Sequence, residues 1–191
     1  MIPSYETCLE AWDQHRMLDN IRAHSLIVAR VAHFLAETLL AQGIPVSVAK
    51  TTAGALMHDI AKTPSLQSGE DHSELGRRIC LQHHFDEIAD IVAEHVRLRS
   101  FDLNGVYSEK ELVYYADKRV NHDRIVSLDR RLDYIIERYG AGDPDRCSAI
   151  RLNFGRCRLI EGKIFSKLSF GPEALKHHVL KGPEEPVFTT S

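Results

Sequence analysis

Apolar positions recur along this chain at steps of three and four residues far more often than they alternate, which is the period of amphipathic helices and not of strands. Between Asn20 and Gln42 the residues Ile21, His24, Val28, Val31 and Leu35 fall along one helical stripe, and Gly43 supplies a C-terminal stop. A shorter amphipathic helix over about Tyr5 to His15 precedes it. Pro45 and Ser47 open a third helix, which runs through Leu56 to His58 and Asp59. Pro64 to Asp71 reads as a loop, because it holds a proline and Gly69, and a helix begins near His72 with Leu75 and Ile79 facing inward. Within Asp86 to Arg97, Ile88, Ile91, Val92 and His95 stand at i, i+3, i+4 and i+7. Ser108-x-x-Glu111 is a capping box, and its helix repeats that spacing at Val113, Ala116, Asp117 and Val120. Leu128, Leu132, Ile135, Ile136 and Tyr139 make the next helix, ended by Gly140. Asp143-Pro144 then caps a long one carrying Ile150, Phe154, Cys157, Ile164 and Leu168.

The expected fold is therefore all-α, a single-domain helical bundle. Its expected organisation is an N-terminal helix over residues 1–19, a core over 20–140, C-terminal helices packing on that core over 141–181, and a mobile tail over 182–191. The pattern of the last helices does not choose between completing the core and pairing with a second subunit, so a homodimer stays open.

Charge and composition narrow the function classes. The 191 residues carry 24 Lys+Arg against 27 Asp+Glu, for a net charge of −3, with 43% hydrophobic content. That excludes a wholly disordered chain and offers no basic face, so a nucleic-acid partner is not expected. The N-terminal stretch carries Glu6, Glu10 and Asp13 without an apolar run, unlike a signal or transit peptide. The apolar stretches Leu26 to Ala32 and Phe34 to Ala41 are interrupted by Arg30 and Glu37 and fall short of a span of about 20 residues, so no membrane partner is expected. Cys8, Cys80, Cys147 and Cys157 show no CxxC spacing, which suits reduced thiols in a cytoplasm.

Histidine is the departure from the ordinary: there are eleven, and five of them fall between His58 and His95. The His58-Asp59 dipeptide alone means little, since chance supplies roughly one such pair in a chain of this composition, and His122-Asp123 is a second. The stronger signal is placement. His24, His72, His95 and Asp117 stand where their helices should offer a hydrophobe to the core, and His58-Asp59 closes another helix. Any one of these histidines alone is an ordinary core or surface residue. Burying an unpaired carboxylate costs several kcal/mol and an unsatisfied imidazole roughly 1 to 3, so six such groups must satisfy each other or bind something. One or two divalent ions satisfy them together. The mixed nitrogen and oxygen set admits iron, manganese, zinc, nickel, cobalt or magnesium.

In their order, His24, His58-Asp59, His72, His95 and Asp117 resemble the HD-domain superfamily of metal-dependent phosphohydrolases. The words Gly54-Ala55-Leu56-Met57-His58-Asp59-Ile60-Ala61-Lys62 and Tyr115-Ala116-Asp117-Lys118 carry the resemblance, which covers roughly residues 20 to 140. It implies that His24, His58, Asp59 and Asp117 hold one metal. His72 and His95 resemble the dinuclear branch, in which Asp59 would bridge two ions. That branch includes dinucleoside tetraphosphate hydrolases and cyclic-dinucleotide phosphodiesterases, but the GYP signature of the latter is missing here.

The expected activity is hydrolysis of a nucleotide or other small phosphoester by metal-activated water, with Asp59 and Lys62 in catalytic roles. Ions of this kind lower the pKa of water and steady the leaving oxygen of an in-line displacement. Lys62 places an ammonium within reach of a phosphate oxygen, and Lys118, Arg97 and Arg99 are further candidates for substrate contact. Asp71 is expected to cap the helix of His72. His83 and His84 are expected bystanders, and His15, His33, His122, His177 and His178 belong to no matched motif. Two alternatives remain: a mixed-valence di-iron oxygenase, because inositol oxygenase and phosphonate-cleaving relatives use a similar ligand order, and a non-catalytic signalling or scaffold domain. Substrate identity lies in pocket shape and stays open.

Overall fold

Helix stripes close on one another around a central helix. A computed structural model of the chain describes residues 1–140 and 142–181. After a first helix α1 (Tyr5–Gln14), whose N-cap Ser4 accepts from the Thr7 amide, comes the 23-residue α2 (Asp19–Ala41). Its inner side buries Val28, Ala29, Val31, Ala32, Leu35, Ala36 and Leu39 completely. The two apolar stretches that Arg30 and Glu37 interrupt in the sequence thus lie on one helix. By length and composition α2 could cross a membrane, yet half of its most apolar stretch is covered by the protein itself. Helices α3 (Val48–Met57) and α7 (Glu109–Lys118) provide much of that cover.

Between them, α5 (His72–Gln82) and α6 (Asp86–Glu94) pair with each other, and α6 also packs on α3. Two glycines seat α6. A Cβ on Gly54 of α3 would lie 2.7 Å from Ile91 Cγ2, and one on Gly76 of α5 would lie 2.7 Å from Val92 Cγ1. Close approach at both points sets where α6 ends, and its end carries a candidate ligand.

Several elements differ from the sequence expectation. Lys62 to Ser68 forms a short helix α4 where a loop was expected. Pro64 sits in its first turn, where the missing N–H has no partner to lose, and Gly69 ends it at φ 72°. Beyond α7 a two-residue hairpin pairs β1 (Val120–Asn121) with β2 (Arg124–Ile125), Val120 opposite Ile125 and Asn121 opposite Arg124. The helix expected to run unbroken to Tyr139 is α8 (Leu128–Ile135), continued as a single wider π turn over Ile136–Gly140. Leu168 falls beyond the end of α9 (Pro144–Phe165), and a further short helix α10 (Leu175–Lys181) follows. The fold is all-α apart from that hairpin.

Helix α9 buries Phe154, Cys157, Ile160 and Ile164 and packs on α7 and α8. Its Lys163 is fixed by Glu111 of α7, at 2.8 and 2.9 Å, and by the carbonyls of Asp102 and Val106. All four cysteines are free, with Cys147 alone among them partly exposed. The tail expected over 182–191 lies outside the described residues.

Candidate metal centre

Five helices deliver the six predicted groups to one place. His24 comes from the inner stripe of α2, and His58 caps the C-terminus of α3 with Asp59 in the turn that follows. His72 opens α5, His95 caps the end of α6, and Asp117 lies in the last turn of α7. The Nε2 of His24 is 3.1 Å from Asp117 Oδ1. That of His58 is 3.5 Å from Asp59 Oδ2 and 3.8 Å from Asp117 Oδ1. Those of His72 and His95 are each 3.6 Å from Asp59 Oδ1 and 3.2 Å from one another. Ligand atoms therefore gather in two triads, His24–His58–Asp59 and Asp59–His72–His95, each within 4.8 Å and sharing Asp59.

Backbone carbonyls orient three of the imidazoles. His24 Nδ1 donates to His122 O (2.8 Å), His58 Nδ1 to Ala55 O (2.7 Å) and His95 Nδ1 to Val92 O (2.6 Å). A carbonyl only accepts, so in each ring Nδ1 carries the proton and the Nε2 lone pair faces the cluster when the ring is neutral. His58 Nε2 and Asp59 Oδ1 are buried without a hydrogen-bond partner among the described residues. Two orphaned lone-pair atoms within one cluster of imidazoles fit a divalent cation, which would satisfy both.

Protonation favours the same occupant. Burial opposes charge on Asp59 and Asp117, yet His58 and Lys62 beside the first, and Lys118 and His24 beside the second, hold both carboxyls well below the usual range. Burial, reinforced by the neighbouring His95, pulls His72 down to about 4, and burial likewise lowers His95. The carboxylates are thus charged and these two imidazoles neutral, the forms that ligate metals. Burial also works against charge on His58, but Asp59 and Asp117 outweigh it and raise its pKa. The pocket demands positive charge there.

The remaining predicted residues divide. Lys62 stands at the rim, half-buried, with Nζ 2.8 Å from Asp59 Oδ2. Lys118 is buried, its ammonium donating to His95 O (2.7 Å), 3.3 Å from Asp117 Oδ2 and 4.0 Å above the Tyr114 ring. That ammonium is taken up by protein partners, so Lys118 ties α7 to the end of α6 and positions His95 where substrate contact was expected of it. Arg97 and Arg99 are exposed on the loop after α6, and Arg99 pairs with Glu74 at 2.6 Å. Asp71 caps α5 by accepting from the Ser73 and Glu74 amides. His83 Nε2 contacts His15 Nε2 at 3.1 Å, and His33 contacts Thr52 and Glu37. Sequence reasoning missed the carbonyl of His122, which holds His24. A backbone acceptor leaves no mark in residue type.

A helical core that gathers imidazoles and carboxylates from five helices defines a candidate metal-binding domain. The HD domain family matches residues 21–122, just over half of the chain and all six groups, and the chain belongs to it. The chain is 26% identical to an uncharacterised protein of Methanocaldococcus jannaschii over 148 residues, covering 71% of this chain and 86% of that protein. It is 29% identical over 145 residues to a tRNA (cytidine(56)-2'-O)-methyltransferase of Picrophilus torridus, covering 69% of this chain but only 40% of the methyltransferase. No solved structure matches it.

Proposed function

We propose that the chain is a phosphohydrolase, a phosphomonoesterase or phosphodiesterase, that uses two divalent ions to hydrolyse a nucleotide or another small phosphoester, water adding to phosphorus as the bond to the leaving oxygen breaks. The observation that carries this reading is the position of Asp59, whose carboxylate faces His58 on one side and His72 and His95 on the other. His24, His58 and Asp117 would hold one ion with Asp59, and His72 and His95 the other. When bound, such ions supply Lewis acidity toward a phosphoryl oxygen and lower the pKa of water toward neutrality.

The chain's own groups do the rest. The Ala55, Val92 and His122 carbonyls hold three rings in the ligating tautomer, so little reorganises when substrate arrives. Lys62, at the rim and already on Asp59, brings an ammonium to the side from which a phosphoryl group enters, where negative charge grows during in-line displacement. Lys118 keeps His95 and Asp117 in register from behind.

The test is hydrolysis of a panel of nucleotides and dinucleoside polyphosphates, read as release of phosphate or of product nucleotides, after loading with manganese, iron, cobalt, nickel, zinc or magnesium. Asp59→Ala should abolish release under every loading, and chelation of the wild type should do so reversibly. No hydrolysis of any substrate under any loading would sink the reading. Oxygen consumption by the iron-loaded chain in that case would assign it to the oxygenase alternative.

A further inference from the structure

The second His-Asp dipeptide of the sequence, His122-Asp123, forms the tip of the β1–β2 hairpin and ligates nothing in the cluster. His122 is held at φ 54°, a conformation few non-glycine residues adopt, and its carbonyl is the acceptor that orients His24. Beside that tip opens a cavity of about 500 Å³ lined by Asn121, His122, Asp123, Arg124, Val126 and Arg130. The charge of its lining is unbalanced, two arginines against one aspartate. Arg131 nearby is taken up by Asn121 Oδ1 at 2.8 Å and by the Tyr134 ring. Arg124 and Arg130, by contrast, have no ion-pair or side-chain hydrogen-bond partner among the described residues. A single imidazole, His24, links the hairpin to the cluster, donating through Nδ1 to His122 O and placing Nε2 3.1 Å from Asp117 Oδ1.

From this juxtaposition we infer that the hairpin cavity is an anion subsite of the same centre, in which Arg124 and Arg130 take a second phosphate carried by the substrate. The inference rests on the phosphohydrolase reading and names its substrate class: small phosphoesters with two separate phosphate groups, one at the metal cluster and one at the hairpin. Guanidinium groups suit this task because they form paired hydrogen bonds to phosphate oxygens and stay charged at any working pH. Asp123 sets a limit on it, since it disfavours an anion that approaches from its side of the tip.

Two readouts on the metal-loaded full chain test it. Calorimetric titration with inorganic pyrophosphate and with orthophosphate should give about tenfold tighter binding of pyrophosphate. The double variant Arg124→Ala/Arg130→Ala should erase that preference, and Arg124→Lys/Arg130→Lys should restore part of it. In parallel, the ratio of kcat/KM for adenosine 3′,5′-bisphosphate over adenosine 5′-monophosphate should exceed one in the wild type and fall toward one in the alanine variant, through KM. Equal binding of the two anions by the wild type, or a preference that survives the double alanine change, overturns the subsite. If neither nucleotide is hydrolysed while the pyrophosphate preference and its loss are both seen, the subsite stands and the phosphohydrolase reading falls.

Discussion

Asp59 carries one negative charge and faces three imidazoles and one ammonium, so each neighbour's role can be read from what it does to that carboxylate. Lys62 is the least buried member of the set, at the rim and not behind it. Under the proposed function, replacing it by Met should lower kcat about a hundredfold while two ions per chain are retained, because the charge assigned to substrate is lost without removing a ligand. A parallel loss of metal would instead make Lys62 a support for Asp59. The thiols give a second check. Burial pushes Cys8, Cys80 and Cys157 each up to about 12, so at pH 8 they remain protonated. Iodoacetamide on the native chain should therefore label Cys147 first, as peptide mass spectrometry would read; early labelling of Cys157 would mean that α9 opens readily. At this scale four of the cluster residues, His24, His72, His95 and Asp117, were legible because polar groups occupied positions the helical period assigns to the core, and His58-Asp59 because it closes a helix beside them. Lys118 was not, since periodicity locates a Cα and says nothing of where a long side chain ends.

Helices meet through features that spacing alone does not display. Gly54→Ala and Gly76→Ala each improve helix propensity by about 1 kcal/mol, yet each new methyl would press on Ile91 or Val92 at 2.7 Å. Both should destabilise the fold by a net ~1–3 kcal/mol in urea denaturation, and both should disturb His95 at the end of α6. A gain in stability would show that α6 yields without cost. At the start of α5, the Ser73 hydroxyl and the Ser73 and Glu74 amides hold the Asp71 carboxyl below its usual pKa. A group lowered in the folded state adds stability that is present above its unfolded pKa, about 3.9, and is lost as pH falls through the folded value. Asp71→Ala should accordingly cost about 1 kcal/mol at pH 7 and progressively less below pH 4, whereas Asp71→Asn should keep most of the cap and lose the pH dependence. Capping boxes and the glycine stops were legible here. Helix α4 was hidden by reading Pro64 as a breaker when it sits in a first turn, and the hairpin at 120–125 is too short to leave an alternating pattern.

The whole molecule is tied together by the C-terminal helix α9 as much as by its core. Lys163 brings its ammonium to Glu111 and to two loop carbonyls in a buried setting, which fastens α9 to α7 and to the loop that follows α6. Lys163→Met leaves Glu111 buried and unpaired, and should cost ~3–5 kcal/mol by chemical denaturation, whereas a surface pair such as Arg99–Glu74 should matter by less than about 1. The all-α architecture followed from the helical period throughout the chain. Its closure around one cluster of imidazoles and carboxylates followed from where that period placed charge. The central claim, that Asp59 joins two three-residue groups into a single dinuclear centre, is tested most directly by metal analysis of the full chain purified without chelator, beside Asp59→Ala. The account predicts two ions per chain in the wild type and loss of both in the variant. One ion in the wild type, or two that persist in Asp59→Ala, would contradict it.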